Sequence, residues 1–231
     1  MKFSTTNEHK CTRIRLSYLC ASVFICGCVL LARADIIDRI AVSVGNRVIT
    51  VSDIEREIRV TAFLEGKKPD LSSASRRATA DKMIEQRLIQ MELDTSHYPI
   101  PDPSEIEPIL ADFKARQFKT EEDYRRTLSA DGITEQDVKD ELLWARRLMR
   151  FIGIRFRPGV RVSDADIQKY FDATVAPAAR AAHPGETVAI EDYREQIEEK
   201  LAGDLADAEM NVWLGEARRR NEIVVHNEVF Q

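Results

Sequence analysis

Along this chain the spacing of apolar positions changes several times, and each change marks an element. Arg39 to Val44 and Arg47 to Val51 are β-rich runs on either side of Gly45-Asn46. They predict a hairpin, because glycine takes the positive φ that a tight turn requires. Ser52-Asp53-Ile54-Glu55 follows at once and predicts a helix start, with Ser52 as cap, Glu55 as its capping-box partner and an end near Gly66. From there to Asp172 the period is helical. Ser73 to about Asp94 carries Ile84, Leu88 and Met91 on one face. Asp102-Pro103-Ser104-Glu105 is a cap with proline in the first helical turn, and Ile106, Ile109, Leu110 and Phe113 behind it form a core-facing stripe. Thr120 opens a short helix with Tyr124 and Leu128, closed by Gly132. Thr134 opens a longer one in which Val138, Leu142, Ala145, Leu148 and Ile152 share a face, and Ser163 opens another with Ile167, Tyr170 and Phe171.

The pattern then breaks. Thr174 to Ala189 holds two prolines, a glycine and no apolar period, and reads as a linker. Ile190 to about Arg220 is the longest helical pattern, with Tyr193, Ile197, Leu201, Leu205, Ala208 and Val212 at spacings of three or four. A strand-like run, Ile223 to Val229, closes the chain. A terminal strand needs an edge to pair with, and the other strands lie at the beginning, so the two should meet. The expected fold is mostly α, with a small antiparallel sheet made by the N-terminal hairpin and the C-terminal strand. The expected organisation is a leader over residues 1–34, a hairpin and helical body over 35–173, a linker over 174–189, and a long helix and strand over 190–231.

The leader is read from Lys10, Arg13 and Arg15, the apolar run Leu16 to Leu31 and the small-residue exit Ala32-Arg33-Ala34, which together have the form of a secretory signal peptide cut before Asp35. At 16 residues the run is at the short edge of a membrane span, so an uncleaved inner-membrane anchor is the alternative. Ile25-Cys26-Gly27-Cys28 loosely resembles a lipoprotein cleavage site. All four cysteines lie in the leader, so the 197 residues after Ala34 hold no disulfide and must fold by core packing. The chain's 34 basic and 39 acidic residues become 29 and 38 once the leader's five basic and one acidic residues are removed, a net of about −9. That balance argues against nucleic acid as the partner, since phosphate binding needs a basic face.

Catalytic patterns are missing from the sequence. It has no G-x-S-x-G elbow, no phosphate-cradling glycine loop and no H-E-x-x-H, so neither nucleotide nor metal nor other cofactor is expected. His97, His183 and His226 are far apart and read as surface or turn residues. Acidic clusters such as Glu121-Glu122-Asp123 and Glu191-Asp192 fall in first helical turns, where negative charge suits the helix dipole, and Arg218-Arg219-Arg220 is the mirror case at a helix end. Most aromatics in the middle of the chain (Phe113, Phe118, Tyr124, Tyr170 and Phe171 among them) are assigned to the core. Trp144, Phe151 and Phe156 lie off the Val138–Leu142–Ala145 stripe, and a helix apolar on more than one face is either deeply buried or offers a binding surface.

The segment IAVSVGNRVITVSDIEREI resembles the opening of the SurA-type periplasmic chaperones and their peptidyl-prolyl isomerase relatives. Val44, Asn46, Val48, Ile49, Thr50, Ser52, Asp53 and Ile54 match its pattern, with Gly45 as an extra residue. DGITEQDVKDELLWARRLMR and VSDADIQKYFD are similar to later helices of that family, in the same order. Where the resemblance calls for a parvulin-type isomerase domain the chain has only the sixteen residues Thr174 to Ala189, and a domain needs ~50 or more. The resemblance therefore implies a periplasmic, ATP-independent chaperone of unfolded polypeptides, notably outer-membrane proteins, without isomerase activity and without catalytic residues. Trp144, Phe151 and Phe156 are the expected client contacts. The alternatives are an envelope adaptor with one fixed protein partner and a subunit of a larger isomerase assembly.

Overall fold

A computed structural model describes residues 38–99, 101–182 and 188–231. The leader and His183 fall outside the described residues, as does the middle of the expected linker.

The hairpin forms where the sequence places it. β1 (Ile40–Val44) and β2 (Arg47–Thr50) pair antiparallel across Gly45-Asn46, with Val44 opposite Arg47. Gly45 sits at φ +57° while Asn46 does not enter the positive region, the II′-like arrangement that follows strand twist. β3 (Ile223–Val225) pairs antiparallel with the other side of β1, placing Val42 opposite Val225 and Val44 opposite Ile223, so the order is β2-β1-β3. Two further backbone bonds extend the ladder, Gly45 N–H to the Glu222 carbonyl (2.8 Å) and His226 N–H to the Ala41 carbonyl (2.9 Å).

The closing strand is shorter than its sequence run. After Val225 the chain turns into a 3-10 segment, Asn227–Phe230, which buries Val229 and Phe230 in the core. The Ser73 hydroxyl donates to the Phe230 carbonyl, and the Arg77 guanidinium lies 5.4 Å from the centre of the Phe230 ring. Burying two such side chains contributes roughly 3–6 kcal/mol, a large share of a small domain's net stability. Deleting Glu222 to Gln231 should therefore unfold the domain or lower its melting temperature by well over 10 °C. Circular dichroism on the truncated chain checks this, and a shift of a degree or two would reduce the segment to a dispensable tail.

Thr50, two residues before the expected Ser52, caps α1 (Val51–Leu64). Its hydroxyl accepts from the Asp53 N–H at 3.2 Å, and the Asp53 carboxylate accepts from the Thr50 N–H at 3.1 Å. Glu55 instead pairs with Arg59 and Arg76, at 3.1 and 2.7 Å. The body continues as α2 (Ser73–Thr95), a 3-10 turn at Pro103–Ile106 capped by Asp102, α3 (Glu107–Gln117), α4 (Glu121–Asp131) and α5 (Glu135–Arg155). Gly132, at φ +66°, ends α4, and Thr134 caps α5 with Asp137. α6 (Asp164–Tyr170) and the long α8 (Arg194–Arg220) follow the sequence reading.

The expected linker is partly wrong. α6 passes through a widened π turn, Phe171–Val175, straight into α7 (Ala176–Ala182). Pro177 lacks an N–H and crowds the preceding turn, and a π turn just before it is one way a helix absorbs such a residue. The first half of the expected linker is thus a continued helix, with Ala176 and Ala179 buried.

The apolar side chains gather into three clusters. The largest joins the sheet to α1, α2, the C-terminal halves of α5 and α8, and Val229 and Phe230. A second holds the end of α1, α3, α4 and the start of α5 around Phe63, Leu110, Tyr124 and Val138. A third, smaller one holds Ile167, Phe171, Ala176 and Ile197.

Two helices serve two clusters each. In α5, Val138 and Leu142 pack in the second cluster while Trp144, Leu148, Phe151 and Ile152 pack in the first, and at about 100° per residue these groups lie about a third of a turn apart. In α8, Ile197 and Leu201 face the third cluster, while Ala206, Met210, Trp213, Leu214 and Ala217 face the first, about half a turn away.

Within the second cluster Tyr124 is fully buried against Phe63 and Phe118, with ring centres 5.9 and 5.3 Å apart. The Lys114 ammonium stands 4.1 Å over its ring, and the hydroxyl, beside the Glu135 carboxylate, makes no hydrogen bond of good geometry. Burial, reinforced by the charges of Glu135 and Glu121, pushes the phenol pKa up, so the neutral form persists at every physiological pH. An orphaned hydroxyl contributes nothing to offset its desolvation. Tyr124→Phe should leave the melting temperature unchanged or raise it by a few degrees, and a fall of several degrees by calorimetry would show that the hydroxyl is bonded.

Candidate client groove

The three aromatic residues expected to contact clients are core residues. Phe151 is 1% exposed and meets Tyr98, Phe156 and Trp213 edge to face, at 5.3, 5.5 and 5.5 Å between ring centres. Phe156 packs on Trp213 at 6.2 Å, and the Arg155 guanidinium lies 5.4 Å from the Trp213 ring centre. Trp144, two turns before Phe151 on the same helix face, is buried toward α1 and α2, where Val60 and Met83 share its cleft. Their position off the stripe Val138–Leu142–Ala145 left burial and a binding surface both open. The face rotates instead: Ala145 is exposed, and the Trp144–Phe151 line enters the main cluster. All three side chains are buried in the main cluster. Trp213, which completes it, was masked in the sequence by the Leu205–Val212 periodicity.

Apolar surface open to a ligand lies elsewhere. Between the α6–π turn–α7 arm and the first half of α8 runs a groove of about 500 Å³. Tyr170, Thr174, Val175, Ala178, Ala179 and Ala182 form one wall, and Tyr193, Gln196, Ile197 and Lys200 the other. The local sequence explains the shape. The alanines of APAARAA leave α7 thin, so the space between it and α8 stays unfilled. Phe171 packs on Tyr193 at 6.3 Å and holds the base of the groove together, while Arg194 pairs with Asp164 at 2.6 Å across its outer end. That pairing raises the arginine's pKa. Lys200 is held by Asp204, whose hydrogen bond raises the ammonium pKa and keeps it charged at the rim. Such a trough, mostly apolar with a few polar groups at its edges, accepts side chains of varied shape rather than one rigid molecule.

A second, polar cleft of about 210 Å³ lies where α1, α2 and α5 meet. Glu57 and Glu141 line it with side chains 14% and 18% exposed, and Lys82 reaches both, at 3.1 and 4.0 Å. Burial, then the nearby Glu57 charge, pushes the Glu141 carboxyl up to about 7, against the pull of Lys82. Asp53, Arg56, Arg87, Asp137 and Asp140 also face the cleft. No hydroxyl, thiol or imidazole stands among its lining residues to act as a nucleophile.

Among the described residues no group of three or more histidine, cysteine, aspartate or glutamate side chains is placed to hold a metal ion. His97 is exposed, and His226 lies 3.4 Å from Glu228. No described helix is long and apolar enough to cross a membrane. No family model matches the chain, and no curated protein matches it.

Proposed function

We propose that the protein is an ATP-independent, SurA-like chaperone of the bacterial periplasm that holds unfolded polypeptides, outer-membrane proteins among them, and that it lacks isomerase activity. The observation that carries the reading is the open apolar groove between the α6–α7 arm and α8. It suits weak, shape-tolerant contact with extended chain segments, and modest affinity lets clients leave. The resemblance of the opening segment and the later helices to SurA-type chaperones supports the same reading, as does the order hairpin, helical body, long helix, closing strand. The catalytic class is disfavoured because the residues between α7 and α8 are too few for a parvulin-type domain.

Suppression of aggregation is the direct test. The mature chain should suppress aggregation of several unrelated denatured proteins without nucleotide. Ala178→Asp, which puts a charge on an exposed groove position, should weaken that several-fold while shifting stability by less than ~1 kcal/mol. Catalytic amounts should not accelerate a proline-limited refolding reaction. Capture of one envelope protein with no general suppression would replace this reading with that of a dedicated adaptor.

A further inference from the structure

α8 is one helix with two attachments. Ile197 and Leu201 pack in the third cluster, Ala206, Met210 and Trp213 in the main one, and among the described residues no buried side chain belongs to both. The turn between them, residues 202–205, belongs to no cluster, and Leu205 on it is 43% exposed. The chain crosses the same boundary a second time. After the 3-10 turn Arg157–Gly159, Val160 packs against the main cluster and Val162 against the third, with exposed Arg161 between them. Both crossings are short and thinly packed, and they lie side by side. Val160, Arg161 and Leu205 line one hollow of about 430 Å³ together with Phe156 and Glu209. The seam is thus open where a protein interior is normally filled. Arg157 on one side pairs with Glu199 on the other, but their side chains are 44% and 64% exposed, and so solvated a pair holds little.

Gly203 stands in the middle of the uncovered turn. A methyl group there would meet nothing within 4 Å, so packing does not call for glycine. Glycine is nonetheless the poorest helix former after proline, and it weakens the turn that contains it. Gly215, further along α8, is equally free of neighbours, yet Trp213, Leu214 and Ala217 around it are all fixed in the main cluster. Of these two glycines, Gly203 is the one that falls between separately packed bodies.

We propose that α6, the π turn, α7 and the first half of α8 swing as one arm about residues 202–205 and Arg161, with the hollow as the space that the motion opens and narrows. Hinges of this kind absorb a rotation in the backbone angles of a few residues. Every residue lining the apolar groove, from Tyr170 to Lys200, lies on the arm side of the seam. The swing therefore re-aims the groove against the body without changing its shape, and it is independent of what the groove binds.

The residues after Ala34 contain no cysteine, so two introduced ones can be spin-labelled alone in the mature chain. Ala145→Cys on the body and Ala165→Cys on the arm, both at exposed positions, report the distance distribution across the seam by pulsed electron resonance. Ala78→Cys with Ala145→Cys, both exposed and both on the body, supplies the rigid reference. The cross-seam distribution should be about two-fold wider than the reference or more. Gly203→Ala should narrow it by about half, while Gly215→Ala should leave it unchanged. Each replacement should raise the melting temperature by a few degrees, as alanine for glycine does inside a helix, so general stiffening of α8 is separated from stiffening at the seam. A cross-seam distribution as narrow as the reference overturns the proposal. So does one that has the same width in the Gly203→Ala and Gly215→Ala proteins.

Discussion

A Phe151→Ala variant is expected to melt about 10 °C below the wild type. Removing a buried phenylalanine costs about 3–5 kcal/mol, through lost transfer energy and the cavity left behind, and at this chain length each kcal/mol moves the melting temperature by about 2–4 °C. The site cannot easily collapse, because Phe151 is the hub on which Tyr98, Phe156 and Trp213 all pack edge to face. Both tryptophans of the chain, Trp144 and Trp213, belong to this cluster, so intrinsic fluorescence reports its loss directly. Met149 on the same helix is 70% exposed, and Met149→Ala should leave the melting temperature within about 2 °C. Below both melting temperatures the Phe151→Ala protein should still suppress aggregation. A variant that kept its stability but lost suppression would return Phe151 to the client surface.

The second large effect concerns pH. Burial, and then the Glu57 charge, pushes the Glu141 carboxyl up to about 7 from an ordinary 4.5. A raised carboxyl pKa means that the folded state holds a proton which the unfolded chain has already released between those two values. Its stability contribution is complete below pH 4.5 and is lost as pH rises through 7. The shift corresponds to about 3 kcal/mol at pH 8. Glu141→Gln keeps the shape and removes the charge. It should therefore raise the melting temperature by roughly 5–10 °C at pH 8 and by almost nothing at pH 4.5. Thermal melts of both proteins across that range provide the check, and parallel curves would show that the carboxylate is solvated. Glu57→Gln should reproduce part of the gain, since the Glu57 charge is the second cause of the shift.

Much of the scaffold was legible from residues alone. The caps at Thr120, Thr134 and Ser163, the Gly45 turn and the meeting of the two chain ends all follow from local chemistry that tertiary context does not override. What misled was periodicity over long helices. A stripe of apolar residues identifies one face, but α5 and α8 each turn different faces to different clusters, so a continuous stripe was drawn through positions that never share a neighbour. The stripe therefore passed through Val212, which is exposed, and left out Phe151, which is buried. The groove was hidden for another reason. Its α7 wall is made of alanines around Pro177, a composition with too little apolar contrast to register as a helix, and its shape depends on how thin that helix is.

The position of β1 sets a rule for how the chain can be finished. It is the middle strand, yet its two neighbours come from opposite ends of the sequence: β2 follows after a two-residue turn, and β3 comes almost last. A polypeptide made from its N-terminus onward therefore carries β1 with one side unpaired until β3 has been made, and Phe230 joins the main cluster only after that. Contacts of such long sequence separation form slowly and late. Until β3 pairs, the free edge of β1 leaves that end of the main cluster open.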